Sequence, residues 1–184
     1  MRYPKECVLK NCKEVVIRPL EPGDRLLLNA FHTQIPESDR WLMNYNVMDT
    51  PIMDRWFDAV EKGNVACILS LCDDCVVGQG SLYMRDFGAT SHVGRFRITV
   101  LPEFRQNRLG TWLLLDLIQL AMDKGLEMLR ADLAAGIEND AIDALKKFDF
   151  FKCAELENAI KDDSGNHHDL VIMMKCLHRT WSDY

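Results

Sequence analysis

No apolar run in this 184-residue chain approaches the ~20 residues that a membrane-spanning helix needs. The opening residues, Met1-Arg2-Tyr3-Pro4-Lys5-Glu6, lack the apolar core of a signal peptide. Both absences lead us to expect a cytoplasmic protein with no membrane partner. Positive charge is in deficit: 22 Lys and Arg stand against 28 Asp and Glu, a net charge of −6. That balance argues against nonspecific nucleic-acid binding, although it leaves room for a local basic patch. There is no regular cysteine framework either. Seven cysteines is an odd number, and we read them as reduced thiols. Cys72-Asp73-Asp74-Cys75 is the one close pair, and the apolar strands on either side make it a hairpin turn, which Asp-Asp suits. A zinc site would need a second pair, for which only Cys7 and Cys12 are near neighbours, so no metal is expected. Repeats, low-complexity tracts and internal linkers are missing, and one domain spanning 1–184, with an N-terminal hairpin over 1–18, is the simplest reading.

Taken in order, Cys7–Lys10 and Val15–Arg18 read as two short strands around Asn11-Cys12-Lys13. Asp24 is placed to cap a helix through Leu26, Leu27, Leu28, Ala30 and Phe31. The polar and aromatic stretch Ile35–Tyr45 then joins it to a second helix near Pro51–Glu61, with Trp56, Phe57 and Val60 on the buried face. Val65–Leu71 and Val76–Met84 are strands, and Gly78 and Gly80 mark a bulge or a close backbone approach. His92–Val100 is a long strand with Phe96, Ile98 and Val100 on one face and Val93, Arg95, Arg97 and Thr99 on the other. Arg108–Lys124 is a helix that is apolar nearly all round, ended by Gly125. Leu126–Ala134 follows as a strand, so strand, crossover helix and strand imply one parallel pair. A helix near Glu138–Lys147 and strands at Phe150–Leu156 and Leu170–Leu177 complete the chain. The expected fold is mixed α/β: a mostly antiparallel sheet around one central parallel strand-helix-strand unit, with helices on both faces.

Ligands of open sheets sit beyond the carboxyl ends of parallel strands. That places a site at Val100 to Thr111. The backbone amides from Gln106 through Asn107, Arg108, Leu109 and Gly110 to Thr111 stand at a helix start, where free N–H groups and the helix dipole favour an anion. Arg105 and Arg108 add positive charge, Gly110 permits close approach, and the Thr111 hydroxyl can donate.

The run Val100-Leu101-Pro102-Glu103-Phe104-Arg105-Gln106-Asn107-Arg108-Leu109-Gly110-Thr111 resembles motif A of the GNAT superfamily of N-acetyltransferases, Arg/Gln-x-x-Gly-x-Gly/Ala after a strand ending near Val-x-Pro. Arg105 and Gly110 match, while Arg108 stands where the first glycine is usual. Glu138–Phe151 resembles the Asn-x-x-Ala…Gly-Phe signature, and the element order fits over nearly the whole chain. The resemblance implies a GNAT-like fold with acetyl-CoA as cofactor. The Arg105–Thr111 amides would hold the pyrophosphate, and the strand end at Val100 and Leu101 would meet the pantetheine and thioester. Arg108 is tolerable there, because a helix-start position has φ near −60° and does not require glycine, and arginine can pair with phosphate.

The implied reaction is direct attack of a primary amine on the thioester in a ternary complex. An amine with a pKa of about 10.4 needs a base, whereas a thiol near 8.5 leaves with less help. The family often places a tyrosine acid four residues before Gly-Phe. Here that position is Leu145, and Asp149-Phe150 replaces Gly-Phe. The strand position of the family's frequent glutamate falls near Arg95 and Arg97, one of which Asp132 could pair. His92 as base and Tyr83 as acid are the remaining catalytic candidates. Trp41 and Tyr45, beside Asp39 and Arg40, would form an acceptor-side lid or simply pack at a helix junction. Asn139 contacts the cofactor or caps its helix, and His167 and His168 read as solvated loop residues. The first reading is therefore an acetyl-CoA-dependent N-acetyltransferase whose acceptor is a small molecule or a protein, with a homodimer left open. A non-catalytic acyl-CoA-binding or sensing module is the alternative, and a zinc-stabilised interaction protein a third.

Overall fold

A computed structural model describes residues 3–43 and 45–177. Its centre is the hairpin of β3 (Val65–Cys72) and β4 (Cys75–Tyr83). Asp73 and Asp74 turn it with φ of 49° and 60°, the left-handed pair that matches the twist of two-residue hairpins. β1 (Lys5–Val8) and β2 (Glu14–Pro19) extend the sheet on one side. β5 (Val93–Val100), β6 (Met128–Ala134), β7 (Phe151–Lys161) and β8 (His167–Cys176) extend it on the other. The eight strands lie in the order β1-β2-β3-β4-β5-β6-β8-β7. Every neighbouring pair is antiparallel except β5 and β6, so the mixed sheet with one parallel unit is as expected.

Helices cover both faces. α1 (Arg25–Gln34), α2 (Glu37–Trp41) and α3 (Thr50–Glu61) precede the central hairpin, α4 (Leu109–Asp123) links β5 to β6, and α5 (Asn139–Lys146) follows β6. Adjacent residues of a strand face opposite sides, and β4 shows which helix lies where. His32 of α1 meets the side chain of Gln79 at 3.0 Å, whereas Gly78 and Gly80 lie under Leu113 and Leu117 of α4. A methyl group at Gly78 would stand 2.5 Å from the Ser70 hydroxyl, and one at Gly80 would stand 3.1 Å from Ile68. The alternating glycines thus mark a close approach between strand and helix, and Gly78 also adjoins a bulge, since Ser70 pairs with Gly78 but Leu71 with Val76.

Some local expectations change. Asp24 precedes α1 but makes no cap bond. It is buried, accepts the Arg18 guanidinium at 2.5 and 2.8 Å and the Glu21 amide at 2.8 Å, and the Arg18 bond holds its carboxyl below the usual range. α2 lies within the stretch read as a connection. α4 is covered on one side only: Trp112 and Leu115 are exposed, while Asp116 is buried and takes Lys5 and the Tyr3 hydroxyl. β7 and β8 are longer than their apolar cores, so His167 and His168 are strand residues, and His168 bonds Asp162 at 2.9 Å. Among the described residues no helix is long and apolar enough to cross a membrane, and no three His, Cys, Asp or Glu side chains gather as a metal site requires.

Gly94, in the parallel pair, tests how tightly this layer is packed. An added methyl would lie 2.6 Å from Leu126 and 2.9 Å from Leu82. We expect Gly94→Ala to destabilise by about 1–3 kcal/mol through overpacking. Gly23→Ala, where nothing lies within 4 Å, should change stability by less than about 0.5 kcal/mol. Urea unfolding of the two variants would check the contrast.

Candidate functional site

The parallel strands pair only at Val93↔Met128, Gly94↔Leu129 and Arg95↔Arg130. Beyond them β5 stays on β4 as far as Val100↔Gly78, and β6 stays on β8 as far as Ala134↔Leu170. The facing edges of 96–100 and 131–134 therefore diverge around a wedge. This cleft has a volume of about 170 Å³, and Ile98, Gly110, Thr111, Ala131, Leu145 and Phe148 are among its lining residues. Leu145, expected at the family's acid position, is buried and presents only hydrocarbon to it.

At the open end, the Leu101 amide donates to the Val77 carbonyl at 3.0 Å, and Pro102–Phe104 form a single 3-10 turn. The following loop is left-handed at Gln106 (φ 58°) and again at Arg108 (φ 69°). This corrects the expectation of an ordinary helix start at Arg108. A left-handed L-residue costs roughly 1–2 kcal/mol, which is why glycine suits this position. The Thr111 amide turns back to the Arg108 carbonyl at 3.1 Å, so it is already used. Among the described residues, no backbone acceptor serves the amides of Asn107, Leu109 or Gly110. Arg105 does not point freely at this loop. Its Nε donates to the Val100 carbonyl at 3.0 Å, and its guanidinium pairs with Asp39 of α2. Arg108 is exposed and pairs with no carboxylate among the described residues.

Ion pairs join β5 to β6 and α5 across the start of the wedge. Arg95 meets Asp132 at 2.6 Å, and Arg130 meets the same carboxylate at 2.6 Å. Arg97 meets Glu138 at 2.8 Å, and the other Glu138 oxygen accepts the Ala134 amide at 2.8 Å. Both strand arginines are thus paired: Arg95 with Asp132, the partner expected for one of them, and Arg97 with Glu138, which was not expected. Glu138, Arg130 and the Asp39 partner of Arg105 were not singled out as site residues. The period-2 spacing of Arg130 and Asp132 was the readable signal for one of them.

Tyr45 and Tyr83 come together on the same side of the sheet as Arg95, with hydroxyls 2.9 Å apart. Burial pushes both phenols above their ordinary pKa, so both stay protonated near neutral pH. Trp41 donates its indole N–H to the Lys161 carbonyl at 2.8 Å, tying α2 to the end of β7. Asn139 is exposed, and its side-chain oxygen accepts the Gly136 amide at 3.0 Å, a link within its own loop. The fold does not bring His92 to the cleft. It precedes β5 at the far end of the strand, roughly 26 Å of extended chain from Val100.

This geometry agrees with comparisons to known proteins. The family model described as Acetyltransferase (GNAT) family matches residues 33–150. An N-acetyltransferase of Staphylococcus aureus Mu50 superposes with a TM-score of 0.76 at 20% identity, over 89% of this chain and 99% of that one. The ribosomal-protein-alanine N-acetyltransferase of Brucella melitensis gives 0.74 at 23% identity, over 88% and 99%. The yncA protein of Salmonella typhimurium, solved with its cofactor acetyl-CoA, gives 0.74 at 21% identity, over 91% and 96%. At these identities the likeness to each is one of fold. No curated protein matches the sequence significantly.

The left-handed Arg108 makes a direct prediction. Arg108→Gly relieves the backbone but loses about 0.5–1 kcal/mol to glycine's greater freedom when unfolded. Its stability should equal or exceed the parent by up to about 1 kcal/mol. Arg108→Val, branched at Cβ where φ is positive, should fall below the parent. Denaturant midpoints in the order Gly, Arg, Val would support this backbone. A valine variant as stable as the parent would contradict it.

Proposed function

Because this chain belongs to the acetyltransferase (GNAT) family, whose model spans residues 33–150, we propose that it moves an acetyl group from acetyl-CoA to a primary amine. The observation that carries this reading is the wedge between β5 and β6, which ends on amides without backbone acceptors. The residues present fit the cofactor. A Cβ built on Gly110 would meet no atom within 4 Å, so the loop leaves open space at the helix start. The amides of Gln106, Asn107, Leu109 and Gly110, the Thr111 hydroxyl and the unpaired Arg108 would hold the pyrophosphate. The Val100 and Leu101 backbone would line the approach, and Leu145 and Phe148 would give the arm an apolar wall. Arg105 supports the end of β5 through its bond to the Val100 carbonyl, while Asn139 is tied to Gly136 in its own loop.

When bound, acetyl-CoA supplies a thioester that an amine attacks directly, with a thiol of pKa about 8.5 as leaving group. The chain's part is to orient and to exclude water. Tyr83, held by Tyr45, serves as a protonated hydrogen-bond donor on the acceptor side. Trp41 and Tyr45 shape that side, with Arg95 and Arg97 fixed in ion pairs. His92 has no part in this reading. Asp132 and Glu138, the carboxylates lining the cleft, already hold guanidinium groups. The acceptor proton therefore leaves through water.

CoA release from acetyl-CoA, followed by thiol detection across an amine panel, tests the proposal. The free-amine fraction rises tenfold per pH unit below the amine's pKa of about 10.4. With no base on the enzyme, log kcat/KM should climb with a slope near one from pH 6.5 to 9. A plateau above pH 7 would reveal an enzymatic base. Tight acetyl-CoA binding with no release for any amine would favour a non-catalytic acyl-CoA-binding module, the reading that Leu145 and the paired carboxylates suggest.

A further inference from the structure

Behind the closed end of the wedge lies a second cavity, of about 670 Å³. Tyr45, Tyr83, Arg85, Arg95, Arg130 and Met174 are among its lining residues, and none of the lining residues is a carboxylate. Arg95 and Arg130 share a single carboxylate, Asp132. Arg85 is exposed, and its recorded bond is to the Thr90 hydroxyl at 3.4 Å. Three guanidinium groups thus surround the cavity with one carboxylate between two of them, in a protein whose net charge is −6. The Arg95 and Arg130 side chains stay 48% and 34% exposed beside Asp132, so their remaining N–H donors are accessible from the cavity. Resting on the acetyl-transfer reading, we propose that the acceptor amine carries an anionic group, a carboxylate or a phosphate, and that this group seats among Arg85, Arg95 and Arg130.

Position and chemistry agree. Arg95 and Arg130 form the last parallel pair, so the cavity and the wedge share a wall there. Arg95 lines the cavity, while its partner Asp132 lines the cleft. An acceptor anchored by its anion would point its amine toward the strand edge at Phe96 and Arg97. That edge lies three to four residues, roughly 10–13 Å, back from Val100. Guanidinium forks suit carboxylate and phosphate oxygens, two bonds at a time. One hydroxyl of the Tyr45–Tyr83 pair donates to the other, which leaves a second O–H to donate into the cavity. A polyamine or a lysine-rich tail would instead bring like charge against the three guanidinium groups, and at about 4 Å each such pair is unfavourable by roughly 1–4 kcal/mol.

The test compares acceptors that share an aliphatic amine and differ in charge: n-butylamine, 4-aminobutyrate, 2-aminoethyl phosphate and 1,4-diaminobutane. We expect kcat/KM for one or both anionic amines to exceed that for n-butylamine at least tenfold, with the diamine lowest. Which anion leads separates carboxylate from phosphate. Arg130→Gln and Arg85→Gln should collapse that selectivity toward unity, chiefly through KM, and Arg85→Lys should restore part of it. Arg85 is exposed, so its variants keep the test meaningful if Arg130→Gln misfolds. Equal or better turnover of n-butylamine or the diamine would overturn the inference while leaving acetyl transfer standing. If no amine releases CoA, the transfer reading fails, and calorimetry decides the inference separately. N-acetyl-4-aminobutyrate should bind measurably more tightly than N-butylacetamide and lose that advantage in Arg85→Gln. Equal affinities would sink it.

Discussion

Backbone hydrogen bonding between β5 and β6 ends at Arg95 and Arg130, and the residues beyond that pair have to find other partners. A sheet that opens in its middle creates two inner edges, and edges present N–H and C=O groups to whatever can reach them. The chain closes part of this gap itself. Glu138 takes the Ala134 amide with one oxygen and Arg97 with the other, so a single carboxylate ties β5, β6 and the start of α5 together. The remainder of the gap is walled by Leu145, Phe148 and the first turn of α4. Because α4 lies so close over Gly78 and Gly80, its first amides are delivered to the mouth of the gap. The gap and the loop of open amides at its mouth are therefore two consequences of one strand-helix-strand crossing.

Charge is distributed with the same economy. Arg105 connects the end of β5 to α2 through Asp39, and Trp41 connects α2 to the end of β7. The end of β5 and the end of β7 are thereby both fastened to one five-residue helix. Arg95 and Arg97 stand where the resembling family often has a glutamate, but both are held in ion pairs, with Asp132 and Glu138, and Arg130 shares Asp132 with Arg95. What these arginines leave over, together with Arg85, is a positive cavity in an acidic protein.

Much of this was legible in the residues. Strand periodicity placed the central hairpin, Asp73-Asp74 marked its turn, and Gly125 ended α4. The loop Val100–Thr111 declared itself through the order strand, arginine, glycine, apolar helix. Other features were not legible, for physical reasons. The left-handed Arg108 was missed because an arginine does not itself announce a positive φ, although the glycine usual at that place in the resembled motif was the signal for it. His92 looked like a candidate base because it begins the right strand, but an eight-residue strand has two distant ends. The partners of Arg105 and Arg97 are remote in sequence, and only folding brings Asp39 and Glu138 to them. The glycines of β4 signalled something unusual, yet only the folded sheet and its packed helix show a close approach at both and a bulge beside Gly78.

On the proposed function, the opening between β5 and β6, with the loop at its mouth, receives acetyl-CoA. Amide hydrogen exchange with and without acetyl-CoA measures this residue by residue. The account predicts that protection rises at Asn107, Leu109 and Gly110 and along the inner edge of 96–100, while the β1–β2 hairpin is unchanged. Protection confined to other surfaces, or no change at these amides under saturating acetyl-CoA, would contradict it.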